Sequence, residues 1–229
     1  MPVATLTLPS PAAQADRLVA LGVHGRAGLS AADLRDAAAA LDDGALLVVH
    51  PALAPPSVLA PLLRLDERAG FVVEDMTDVD AFAPESPVVL PDGPVYSVAG
   101  LDRGDGMSNW SPDEALPAIV GSGRTPLSLT EGIAWLLQCP DVLARNSCFM
   151  TIGSRLRRPD GRLDARTPAL WISNGTGRDG KARRGAPKVG WCWAGNRHTW
   201  LGFASAASRI PRAASRIALP PTRAAAAVG

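Results

Sequence analysis

The residues able to do chemistry in this chain are few and fall mostly in its second half. Cys139, Cys148, Cys192 and His198 are the soft ligands and nucleophile candidates. A Cys₃His zinc site would use all four. Eight residues separate the first two cysteines, 43 separate Cys148 from Cys192, and five separate Cys192 from His198, so no close pair nucleates chelation. Buried, reduced thiols are the plainer reading, and no metal site is assigned. A Cys192 nucleophile with His198 as its base is the next arrangement, because a thiolate needs a neighbouring base or cation. Asp102-Arg103-Gly104-Asp105, with Asn109 nearby, offers two carboxylates three residues apart for a hard cation or for acid–base work. The alternative there is a turn held by its aspartate side chains and an Asp–Arg ion pair.

Gly175-Thr176-Gly177-Arg178-Asp179-Gly180-Lys181 has the glycine and lysine spacing of a phosphate-binding loop. Ala182 stands where Ser or Thr would hold magnesium, and Arg183-Arg184-Gly185-Ala186-Pro187 does not continue as the required helix. A mobile basic hairpin loop is expected instead. The densest signal is aromatic: Trp191, Trp193 and Trp200, with Asn196, Arg197 and His198 between them. Such indoles either pack in the core against a helix or form a partly open platform that stacks a planar ligand, a base or a partner side chain.

Elements that position these residues are readable from caps and periodicity. Ser10-Pro11 opens a helix ending near Gly22, and Ser30-Ala31-Ala32-Asp33 opens one running to about Leu41. Ser111-Pro112-Asp113-Glu114 and Ser128-Leu129-Thr130-Glu131 are capping boxes, the second helix ending at Pro140. The cluster Glu74, Asp75, Asp78, Asp80 reads as a helix start and a solvated face. Short apolar runs predict strands at 45–50, 70–74, 95–100, 148–153, 169–173, 188–194 and 199–204. Gly195-Asn196 marks a turn, so the last two strands are expected to form a hairpin. In that register Trp191, Trp193 and Trp200 share one face and Cys192 points to the other, away from His198.

Composition bounds the rest. With 229 residues, 47% hydrophobic and 20% charged, the chain can bury a core. No run approaches the roughly 18 apolar residues of a membrane span, and no secretory leader is evident, so a cytoplasmic protein without a membrane partner is expected. Net charge is +1, but residues 180–229 hold nine basic groups and no acidic one. That segment is either a solvated compensating end or a contact for an acidic partner such as nucleic acid. From 206 onward the chain is rich in Ala, Pro and Arg and echoes itself, which predicts a disordered tail after a domain spanning 1–205. Residues 1–50 either pack on the sheet or form a separate lobe.

Four segments together, Asp102 to Asp105, Ser111 to Pro117, Gly123 to Leu127 and Trp191 to Gly202, resemble an actinobacterial family of unknown function, domain of unknown function 5701. The resemblance covers about residues 10–208, with the loop at 174–187 as a departure. It implies a cytosolic bacterial protein of one domain and transfers no activity, substrate or catalytic residue.

The expectation is therefore an α+β fold with a mixed or mainly antiparallel sheet, several helices and C-terminal β-hairpins. His-Glu-x-x-His, Gly-x-Ser-x-Gly and Gly-x-Gly-x-x-Gly motifs are absent, and no cofactor is implied. A non-enzymatic module binding a small molecule or a protein fits best, with Trp191, Trp193, Asn196, Arg197, His198, Trp200, Asp102, Arg103 and Asp105 as candidate contacts. The alternatives are a hydrolase-like enzyme, with or without a divalent metal, using Asp102, Asp105 and His198, and non-specific nucleic-acid binding through residues 180–229.

Overall fold

A computed structural model describes residues 7–212 and Leu219. Each of the four helices read from a capping serine is present: α1 (Pro11–Ala20), α2 (Ala31–Ala39), α3 (Pro112–Gly121) and α4 (Leu129–Gln138). Ser30, Ser111 and Ser128 close reciprocal capping boxes with Asp33, Glu114 and Glu131. These local bonds satisfy amides that the first helical turn leaves free, so the start points were legible.

Two principal sheets complete an α+β fold. In the first, β1 (Leu46–Val49) pairs antiparallel with β3 (Val95–Ala99), which pairs antiparallel with β8 (Ser208–Arg212). The second has five strands: β2 (Phe71–Val72), β4 (Cys148–Met150), β5 (Arg166–Ile172), β6 (Pro187–Trp193) and β7 (Leu201–Phe203). Their spatial order is β7-β4-β5-β6-β2. The β4–β5 and β5–β6 pairs are antiparallel, and β7–β4 and β6–β2 are parallel.

All ten residues of α4 are buried, because it lies between the two sheets. Gly132 permits the approach: a Cβ there would stand 2.5 Å from Thr151 Cγ2 and 2.9 Å from Leu170 Cδ1. From the other sheet the Tyr96 hydroxyl donates to Glu131 at 3.3 Å. One hydrophobic cluster runs from Ala15 through both sheets to Ala206. The N-terminal helices belong to it. The buried Gln14 of α1 acts as a surrogate strand on the β1 edge: its Nε2 donates to Ala45 O and its Oε1 accepts from Leu47 N, both at 2.9 Å. An edge that would otherwise expose free backbone groups is thereby closed.

Three expectations are corrected. First, the segments 188–194 and 199–204 do not pair; β4 and β5 lie between β6 and β7. Gly195-Asn196 does turn, with Asn196 N donating to Trp193 O at 3.0 Å, but the chain then crosses the sheet instead of folding back. The C-terminal hairpin is β5–β6. Second, residues 206–212 are no tail. Ser205–Ala206 pairs with Thr125–Pro126, and β8 follows at once. The remainder of the expected tail lies outside the described residues, apart from Leu219. Third, the acidic cluster is not simply a solvated face. Asp78 binds Arg166 at 2.7 Å, and Asp80 Oδ1 accepts from Ser57 N at 2.8 Å.

Candidate functional site

Strand alternation and the pairing registers place Cys148, Thr167, Ala169, Trp171, Lys188, Gly190 and Cys192 on one face of the five-stranded sheet. The opposite face, with Phe149, Leu170 and Val189, meets α4 and the main core. On the first face, Ala115 and Ile119 of α3 cover one region and pack with Met150, Ala169 and Phe203. Because β6 and β7 run parallel with two strands between them, the connection 194–200 passes across the uncovered part. It is held from above: Asp113 N donates to Ala194 O at 3.3 Å, Asn109 N to His198 O at 3.0 Å, and Arg197 ion-pairs with Glu114.

Between this crossing segment and the sheet lies a cavity of about 410 Å³. Trp171, Ala169, Cys148 and Cys192 line it from the sheet, His198 and Trp200 from the crossing, and Asn146, Ser147 and Asn174 from loops. The His198 and Trp200 rings stack with centroids 4.5 Å apart and planes within 10°. Trp171 is set by Gly190: a Cβ there would stand 2.5 Å from the indole Cη2, so only glycine lets the ring lie across β6. On that ring sits the Lys188 ammonium, 4.5 Å from the centroid and 2.8 Å from Asp179. Trp200 is 51% exposed, which leaves an aromatic surface open at the mouth.

The two thiols differ. Burial, helped by a smaller contribution from Cys192 and opposed by the nearby Arg103 cation, pushes the Cys148 thiol up to about 12, so at neutral pH it is a packing group. Cys192 is half-buried and its sulfur accepts from Asn196 Nδ2 at 3.6 Å. Cys148 and Cys192 sit on strands separated by β5, a distance of about 9.5 Å between strand axes, beyond disulfide reach without backbone movement. Among the described residues no group of three or more His, Cys, Asp or Glu side chains has metal-holding geometry.

The candidate residues are thus partly brought together. His198, Trp200, Trp191 and Cys192 border one groove, which reverses the expectation that Cys192 and His198 face apart; that expectation rested on the hairpin register. The three tryptophans do not form one platform. Trp191 packs on the main core and meets Trp193 edge-on at 4.5 Å, while Trp200 stands with His198. Asn196 approaches the groove through Cys192, and Arg197 turns to Glu114. Asp102, Arg103 and Asp105 do not line it. Asp102 Oδ1 accepts from Gly104 N at 2.8 Å, and Asp105 is held by Arg103, the turn and ion pair weighed from sequence. The glycine-rich stretch 175–181 lies in the β5–β6 loop, which forms two 3₁₀ turns, Gly177–Asp179 and Lys181–Arg183, and no α-helix, and Asp179 ties it to Ser173 Oγ at 2.7 Å and to Lys188.

Sequence reading missed Trp171, Asn174, Asn146 and Ser147. A signal for Trp171 was present: an isolated glycine within a strand, Gly190, marks a place where something approaches the backbone closely.

A family model described as a family of unknown function (DUF5701) matches residues 17–212. The chain belongs to this family. No curated protein and no solved structure matches it. None of the described helices is long and apolar enough to cross a membrane.

Proposed function

We propose that this DUF5701 chain is a non-enzymatic binding module that takes a planar small molecule in the groove between Trp171 and the His198–Trp200 stack. The observation that carries the reading is the groove's composition: four aromatic rings (Trp171, Trp191, His198 and Trp200), apolar neighbours such as Ala169, Ile172 and Leu201, and a few amide and hydroxyl groups around about 410 Å³. Ligand pockets are commonly mostly apolar, of roughly 300–1,000 Å³, with a few polar groups fixing orientation. Burial of a planar ring against indoles contributes area and favourable quadrupole geometry together.

The hydrolase alternative draws less support. Its carboxylates, Asp102 and Asp105, are engaged within their own turn, and the groove lining contains no carboxylate. General acid–base chemistry needs such groups within hydrogen-bond reach of one substrate. Nucleic-acid binding through 180–229 is weakened in the same way. Arg183, Lys188, Arg197, Arg209 and Arg212 pair with Glu74, Asp179, Glu114, Glu131 and Asp42, so much of the basic charge is spent internally. A cytoplasmic location and an actinobacterial origin remain part of this reading through the family resemblance.

The reading is tested by titrating intrinsic tryptophan fluorescence with indole, quinoline, adenosine and riboflavin, each against the native chain and Trp200→Ala. Saturable quenching by at least one probe, weakened tenfold or more in the variant, is expected. Equal responses in both proteins, or none to any probe, would remove the groove as a binding site.

A further inference from the structure

Resting on that reading, we infer that the ligand of the groove carries an anionic group, and that a nucleotide-like heteroaromatic monophosphate is its chemical class. The observation is an asymmetry along the groove. Extending the β4–β5 register sets Ser147 beside Ile172, so Asn146, Ser147 and Asn174 gather at one end, next to Trp200, whose carbonyl accepts from Cys148 N at 2.9 Å.

That end is built to donate. Arg103 Nη2 donates to Ser147 Oγ at 2.8 Å, which leaves the serine's own O–H free to point elsewhere as a donor. The Arg103 side chain is 10% exposed, lies 5.7 Å from the Phe149 ring centroid and is ion-paired with Asp105, so it acts on this end through the Ser147 hydroxyl it polarises and not as a free charge. Asn146 and Asn174 add amide donors. No carboxylate lines the groove to oppose them.

Two further cations flank the same end. Arg145 precedes Asn146 in an exposed turn. Arg184 is placed by Gly175, the residue after Asn174: at φ 68° Gly175 packs so tightly that a Cβ would stand 2.5 Å from Arg184 Cβ. Both arginines are exposed and have no ion pair among the described residues, in contrast to Arg183 and Lys188 from the same loop and strand. Guanidinium and polarised hydroxyl donors match phosphate, and charge-assisted bonds of this kind are about twice as strong as neutral ones. The aromatic end takes the ring and the Asn146–Ser147–Asn174 end takes the phosphate.

The test compares each neutral probe with its monophosphate, adenosine with adenosine monophosphate and riboflavin with flavin mononucleotide, on the native chain and on Arg145→Ala/Arg184→Ala. Both substituted side chains are exposed, and thermal melts verify that the variant stays folded. We expect the phosphorylated member to bind about tenfold tighter at low salt. That advantage should shrink in about 0.5 M salt and disappear in the double variant, while the neutral member is unchanged. Equal affinity within both pairs would overturn the anion assignment and leave the aromatic groove standing. A phosphate preference that survives in the double variant would overturn the assignment to these arginines. Failure of all four compounds to bind would remove the underlying reading as well.

Discussion

At the scale of single residues, the groove is lined by two thiols, on strands separated by β5, whose behaviour should differ. Burial raises Cys148 to about 12, so little thiolate exists at neutral pH. Native-state alkylation with iodoacetamide at about pH 7.5, followed by peptide mass mapping, should modify Cys192 while Cys148 reacts only after unfolding. Equal labelling rates would mean that the sheet face is more open than described. Asp164 gives a second residue-level expectation. Its burial opposes ionisation, but hydrogen bonds from the Arg166 side chain and amide and from Arg158 prevail and hold the carboxyl at about 2, against an ordinary 3.8. A depressed carboxylate contributes stability that is fully present above its unfolded pKa and lost as pH falls through the folded one. Asp164→Asn should therefore lower the melting temperature near pH 7, and the difference from the native chain should close between about pH 4 and pH 2. A difference constant over that range would show that the ion pairs with Arg158 and Arg166 carry no net stability.

At the scale of elements, what the sequence made legible depended on how local the determining interaction is. The four serine-capped helices were readable because the capping oxygen and the amide it accepts from, joined in three of them by a reciprocating acid, lie within four residues of one another. Strand positions were largely readable from apolar runs, but strand partners were not. The Gly195-Asn196 turn is real, and nothing near it in the chain encodes that β7 pairs in parallel with β4 instead of returning to β6. The groove was lost with that error, since Trp200, His198 and Cys192 meet only because the crossing runs over the sheet. Trp191-Trp193 alternation was legible and correct; its union with Trp200 was not. Gly190 carries the element-level prediction. Gly190→Val drives a branched side chain into the Trp171 ring, at a cost of about 1–3 kcal/mol by overpacking, and should abolish probe binding even where the variant folds. Chemical denaturation gives the first quantity and fluorescence titration the second; unchanged binding would show that Trp171 does not form the floor.

At the scale of the whole molecule, the first and last described segments close the fold. Gln14 seals the β1 edge, and β8 brings Arg209 onto Glu131, the N3 residue of the α4 capping box. Arg209 Nε and Nη2 donate to the two Glu131 oxygens at 2.6 and 2.8 Å, and Nη2 also donates to Pro126 O at 2.9 Å. Arg209 is 6% exposed and Glu131 is fully buried. Residues expected from composition to begin a disordered tail therefore contain the partner of a charge between the sheets. Removing one member of such a pair leaves the other buried and uncompensated, typically at about 3–5 kcal/mol. Arg209→Ala, or a chain ended at Ala207, should lose stability of that order in urea unfolding, and a loss below about 1 kcal/mol would contradict the closure described.

The central claim, a planar ligand held between Trp171 and Trp200, is tested most directly by the indole N–H signals in a ¹H–¹⁵N correlation spectrum. The chain has six tryptophans, and single substitutions assign each signal. On addition of the probe that quenches fluorescence most strongly, the account predicts saturable shifts concentrated on Trp171 and Trp200, with Trp135 in the α4 core unmoved. Shifts confined to the exposed Trp110 and Trp193, or no saturable shift at all, would contradict it.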